Sequence, residues 1–153
     1  MKTIKKLTQK LSSLNASTDS IALGFACGAA ISMTPFIGFH SILAVLTALM
    51  IRANIIAALI GTIVGNPWTF AFIWPATYET GRLILGIRAR ENLDFSTILD
   101  NLKGALFSFD FSDALKDIEE VILPMAVGSI IFYISAFILS FFIIRHILKQ
   151  IRQ

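Results

Sequence analysis

Between Ile21 and Ile51 the chain carries no Asp, Glu, Lys or Arg. One straight helix of that length would run about 46 Å at about 1.5 Å per residue, against a bilayer hydrocarbon core about 30 Å thick. Pro35 stands near the middle of the run and Gly38 follows closely. Proline lacks an amide hydrogen and clashes with the preceding turn, so it ends or kinks a helix. The run therefore reads as two short helices, about 21–33 and 37–51, folded as a tight hairpin. Such a hairpin either dips into a membrane and returns or makes two short spans.

The same grammar follows. Arg52-Ala53-Asn54 interrupts, and Ile55 to Tyr78 is again free of acidic and basic residues, with Asn66-Pro67 inside it. The residue before a proline is pushed out of the α region, and the Asn66 amide can occupy the backbone groups so freed. Trp68, Trp74 and Tyr78 come next, rings that prefer a headgroup layer. Pro35, Gly38 and Pro67 are thus the helix breaks.

Composition supports a membrane setting. Hydrophobic residues make up 56% and charged residues 15%, where soluble domains carry about 25% charged. The fold class expected is all-α, an integral membrane helical protein with proline-broken short helices or hairpins plus one C-terminal transmembrane helix. The net charge of +3 is small, and a nucleic-acid partner would want a basic face. The basic residues gather at the chain ends: Lys2, Lys5, Lys6 and Lys10, then Arg145, Lys149 and Arg152. That pattern flanks membrane segments on the cytoplasmic side. His146, beside the basic tail, reads as a surface residue. Cys27 is the single cysteine, so it forms no intrachain disulfide and no cysteine-based metal site. Thr8, Gln9, Lys10, Ser12 and Ser13 interrupt any signal-peptide apolar core near the N-terminus.

Five stretches emerge. Residues 1–16 form a basic amphipathic segment, with Ile4, Leu7, Leu11 and Leu14 at helical spacing. It lies on the membrane surface or remains a solvated tail. Asn15, Ser17, Thr18 and Asp19 offer N-caps to the core membrane domain, 17–86. Residues 87–120 form an acidic amphipathic connector, including Glu91, Asp94, Asp100, Asp110, Asp113 and Asp117. Phe107, Phe109 and Phe111 alternate with polar residues there and are expected to dip into the interface. Residues 121–144 are uncharged, about 36 Å of helix and enough to cross, with Pro124 near the start. Residues 145–153 are a basic tail. Both ends inside requires an even number of crossings. One solution makes 21–51 re-entrant, 55–85 one kinked span and 121–144 the return. The competing one makes four short spans before the connector, which leaves 86–120 inside and the C-terminus outside; Arg88 and Arg90 favour it, whereas the basic ends favour the first.

Gly24 and Gly28 precede Thr34-Pro35-Phe36, and Gly61 and Gly65 precede Asn66-Pro67-Trp68. Glycines four apart let helices approach closely. Matching proline-interrupted segments also point to a transporter-type repeat with a site between the halves. The spacing differs between the two, and glycines shared by coincidence explain the pattern as well.

Arg52 either snorkels to the interface or faces a polar cavity, since intramembrane charge is costly. Glu79 and Arg82 sit three apart on one helix face, as an ion pair does. His40 on an apolar helix is a packed residue or a ligand contact. The candidate ligand-binding set is His40, Arg52, Asn54, Asn66, Glu79 and Arg82. No nucleophile–base set or phosphate-binding loop occurs, and no metal-ligand spacing, so no enzyme, cofactor or metal is expected.

The motifs Thr34-Pro35-Phe36-Ile37-Gly38, Arg52-Ala53-Asn54, Gly65-Asn66-Pro67-Trp68 and the stretch Gly81 to Gly86 resemble the bacterial membrane family catalogued as domain of unknown function 2062. The resemblance covers roughly residues 17–86 and reaches weakly to the final span. It implies a small multi-pass protein of the bacterial inner (cytoplasmic) membrane and no particular activity. Two readings of function follow. In one, the broken hairpins bind or move an anionic lipid headgroup or small anion. In the other, the chain is a structural or partner-binding subunit, a homo-oligomer for instance, assembled through glycine-rich faces.

Overall fold

The computed structural model describes residues 9, 11, 14–36, 38–88 and 118–151. Most of segment 1–16, residues 89–117 of the connector and its Phe107, Phe109 and Phe111 lie outside the described residues. Every element among the described residues is helical, as the all-α expectation requires.

Helix α1 is Thr18–Ile31. Ser17 caps it, its side chain accepting the Ser20 amide hydrogen at 3.2 Å, and Asp19 sits favourably in the first turn. Nearly every residue from Ile21 on is buried, as befits a helix that is apolar all round. It stops where Ser32 and Thr34 turn their hydroxyls back onto the Gly28 and Ile31 carbonyls, at 3.0 and 2.7 Å. Pro35 then forbids continuation. Helix α2, His40–Met50, doubles back. Its following loop returns to the start of α1, where the Asn54 amide donates to the Ser20 carbonyl at 3.0 Å.

The α2 end is a Schellman motif. The Arg52 amide donates to the Leu49 carbonyl and the Ala53 amide to the Ala48 carbonyl, at 3.1 and 2.8 Å. The left-handed position that this motif requires is filled by Arg52, φ 55°, not by glycine. Asn54 caps α3, Ile55–Gly61, by accepting the Ala57 amide hydrogen at 2.8 Å. A 3₁₀ turn, Thr62–Val64, leads to the second break.

Helix α4 is Pro67–Leu85. Pro67 occupies its first turn, where the missing donor costs nothing. Asn66 accepts from the Trp68 and Thr69 amides at 3.0 and 3.2 Å, and the Thr69 hydroxyl accepts the Asn66 amide hydrogen at 2.9 Å. This reciprocal cap makes Pro67 the start of a helix instead of a kink within one. The axes before and after the break differ by 78°. Pro75 lies within α4 without ending it. Gly86, φ 67°, closes the helix. After a wide turn at Ile118–Ile122 comes α5, Leu123–Ile151. It continues past residue 144 because nothing there breaks a helix, and Lys149 in its last turn complements the helix dipole.

Two close crossings hold these elements. Gly24 and Gly28 of α1 lie against the Asn54 and Ala58 carbonyls, and Gly61 lies against the Phe25 carbonyl. In α4 and α5, Gly81 lies against the Pro124 carbonyl and Gly128 against that of Thr77. A Cβ at any of them would collide with backbone, so these surfaces need glycine. Gly65 sits instead against the Ser32 side chain. The two breaks therefore differ in shape, one reversing the chain and one bending it. Around the first crossing, Ile21, Phe25, Ile60, Ile144, Leu148 and Leu11 pack as the main core. Tyr78, Val121 and Met125 form a smaller one between α4 and α5.

Candidate functional site

Helix α5 works as a ruler for the rest of the molecule. Arg145 pairs with Asp19 at the start of α1, Nε to Oδ1 at 2.6 Å and Nη2 to Oδ2 at 3.4 Å. Tyr133 and Phe137 meet Cys27 and Thr47. Gly128 meets Thr77, and Pro124 meets Gly81. At about 1.5 Å per residue, Tyr133 lies about 18 Å and Pro124 about 32 Å from the Arg145 level. Helix α1 thus covers one half of α5, and the later part of α4 covers the other.

The six candidate residues fall at three levels. Arg52 and Asn54 are at the Arg145 end, tied there by the Asn54–Ser20 bond. His40 and Asn66 are at the middle. The His40 Nε2 lies 3.1 Å from the Thr34 carbonyl oxygen. Its ring stacks on Phe70, which stacks on Trp74, with centroids 5.6 and 5.0 Å apart. Glu79 and Arg82 pair with each other, Arg82 Nε donating to Glu79 Oε2 at 2.7 Å. They stand about 20 Å up α4 from Asn66. His40 and Asn66 share a neighbourhood, and so do Arg52 and Asn54, but the six line no common pocket.

The starts of α3 and α4 are already occupied, while the N-cap of α2, Phe39, makes no side-chain cap. The Asn54 side chain takes the Ala57 amide and the Asn66 side chain takes those of Trp68 and Thr69. Arg52 differs from all the others. Its side chain is exposed and makes no hydrogen bond or ion pair with a described residue.

Beside it lies a cavity of about 340 Å³ between α1, α2 and α5, lined by Cys27, Thr47, Met50, Ile51, Tyr133 and Phe137. Sequence reading alone did not find it. Its walls come from stretches far apart in the chain, and Cys27 there is simply a buried small side chain. Among the described residues, no three His, Cys, Asp or Glu gather as a metal site would need.

Outward-facing surface is strongly apolar. Trp68 is 84% and Phe72 78% exposed, and α5 exposes Ile130, Ile134, Ile138 and Phe142 along one side at helical spacing. Ile118–Ile151 is long and apolar enough to cross a membrane, with 17% of its most apolar stretch buried. The bent pair Ile55–Val64 and Pro67–Leu85 qualifies only when taken together.

A family model described as an uncharacterized protein conserved in bacteria, DUF2062, matches residues 1–153. The chain belongs to the DUF2062 family. The match reaches well beyond the 17–86 motifs and takes in α5. No curated protein and no solved structure matches this DUF2062 chain.

Proposed function

We propose that this DUF2062 chain is a small multi-pass protein of the bacterial inner membrane that holds an anionic lipid headgroup at its basic end, with Arg52 as the contact. Arg52 carries the reading. Its left-handed backbone costs an L-residue about 1–2 kcal/mol, where glycine would sit free of strain. Strain kept at an exposed cation without a described partner is the mark of a functional position. Arg145 and Lys149 lie at the same end of α5. Basic residues there favour the cytoplasmic leaflet, whose anionic lipids attract each cation by about 1 kcal/mol.

Three features support insertion: the apolar outward face, the span-length α5, and the depth of the breaks. With α5 crossing, residues 32–36 and 62–66 sit about halfway through the hydrocarbon. Non-helical backbone is tolerated at that depth only where protein or water satisfies it. Ser32, Thr34, Asn66 and Thr69 supply those partners from within the chain. This favours a re-entrant 21–51 hairpin, a kinked span through 55–85 and a returning α5.

A small anion held by Asn54 and Asn66 has less support, because their side chains already cap helices. The subunit reading also loses ground, since Gly24, Gly28 and Gly61 face other helices of the same chain. We read the protein as a non-enzyme, a holder of lipid.

The test has two parts. Flotation with vesicles after an alkaline carbonate wash reports insertion. Co-purified anionic phospholipid, measured against zwitterionic lipid, reports headgroup binding. The protein should float, and Arg52→Gln should lose the anionic enrichment. Enrichment that persists in Arg52→Gln would overturn the headgroup assignment.

A further inference from the structure

We propose that the cavity between α1, α2 and α5 takes one acyl chain of an anionic phospholipid whose headgroup rests on Arg52. This inference depends on the headgroup reading above and adds a place for the tail.

Position comes first. Ile51, on the cavity wall, directly precedes Arg52, so the exposed Arg52 adjoins the wall. Met50, also on the wall, is 83% exposed. A cation at the rim of an apolar slot is complementary to a molecule with an anionic head and an apolar tail.

The wall chemistry suits a tail. The Thr47 hydroxyl donates to the Leu43 and Ala44 carbonyls, at 2.8 and 3.1 Å, which satisfies it within its own helix. Cys27 behaves as a small hydrophobe, and Met50 is a flexible side chain that adapts to irregular shapes. Phe137 and the Tyr133 ring supply flat apolar surface.

Size agrees as well. About 340 Å³ falls within the range of ligand pockets, roughly 300–1,000 Å³. At about 30 Å³ for a group the size of a water molecule, it holds about eleven methylene-sized groups. That is much of one acyl chain and too little for two.

The test uses the full chain in lipid nanodiscs with a photoreactive diazirine in the acyl chain of the probe. Phosphatidylglycerol and phosphatidylcholine carry the same tagged chain, and labelled peptides are mapped. The phosphatidylglycerol probe should label Cys27, Thr47, Tyr133 or Phe137. The phosphatidylcholine probe should label only outward residues such as Ile130 and Ile138. Arg52→Gln should lower cavity labelling by about tenfold, the loss of roughly one charge-assisted contact. Thr47→Phe should fill the cavity and abolish labelling there, while the helical circular dichroism and flotation stay unchanged.

Equal cavity labelling by both probes would overturn the proposal, as would phosphatidylglycerol labelling confined to the outward face. Displacement of the probe by free decanoate but not by unlabelled phosphatidylglycerol would assign the cavity to a free fatty acid and overturn the phospholipid commitment. Failures are separable. Loss of anionic-lipid enrichment in Arg52→Gln with an unlabelled cavity leaves the headgroup reading standing and removes this one. Failure to float removes both.

Discussion

Replacing Arg52 by glycine separates backbone from charge at the one non-glycine residue with positive φ among the described residues. The left-handed conformation of Arg52, φ 55°, costs an L-residue about 1–2 kcal/mol. Glycine removes that cost but brings an extra entropy loss on folding of about 0.5–1 kcal/mol. The net expectation is a protein more stable by about 0.5–1 kcal/mol, roughly a two- to fivefold change in the unfolding equilibrium. Arg52→Ala keeps a Cβ in the same conformation, and its exposed side chain contributes no described contact, so stability should barely move. Both variants lose the cation and should lose the anionic lipid together. The assay is reversible unfolding in mixed micelles, followed by the fluorescence of Trp68 and Trp74, the chain's two tryptophans, with bound lipid measured on the same samples. A glycine variant less stable than alanine would refute the backbone reasoning. A glycine variant that retains its anionic lipid would refute the role given to the charge.

Gly128→Ala should be far costlier than its size suggests, because the new methyl group meets the Thr77 carbonyl and the Gly81 amide, which are backbone and cannot turn aside. A loss of about 1–3 kcal/mol is expected. Gly38→Ala, with open space around it but φ 82°, should lose only about 1–2 kcal/mol of conformational strain; comparative unfolding of the two decides. Asn66→Ala removes the cap of α4 and leaves the Trp68 and Thr69 amides without their acceptor. It should cost about 1–2 kcal/mol and leave anionic-lipid enrichment intact, since Asn66 stands far from Arg52.

Much of the helical order is legible from the residues. Ser17 before an apolar run marks the start of α1, and Pro35 marks its end, because both act within one turn of themselves. The Asn66-Pro67 break is equally visible, and its consequence lies in the following Thr69. Asn at the cap and Thr at the third helical position make a reciprocal cap, so the expected break at the proline is the start of a new helix. Pro75 is the converse case, a proline that α4 absorbs. Tertiary relations were less accessible. Gly81 and Gly128 acquire meaning only when α4 and α5 meet, and no local pattern couples them. Arg52 was visible as a charge in apolar sequence, whereas its left-handed backbone was not, since glycine is the usual occupant of that position. The six candidate residues share polar chemistry but not position, and the fold distributes them by level along α5.

The Asn54–Ser20 bond has a consequence for the order of assembly. It closes α1, α2 and the start of α3 on themselves using neighbours near in sequence, and local contacts form early. Helix α5 arrives only after the intervening connector has been made, and domains fold progressively from the N-terminus during synthesis. Until α5 is made, α1 lacks its cover of Ile144 and Leu148. Docking of α5 covers it and brings Arg145 to Asp19, so one ion pair ties the last-made helix to the first.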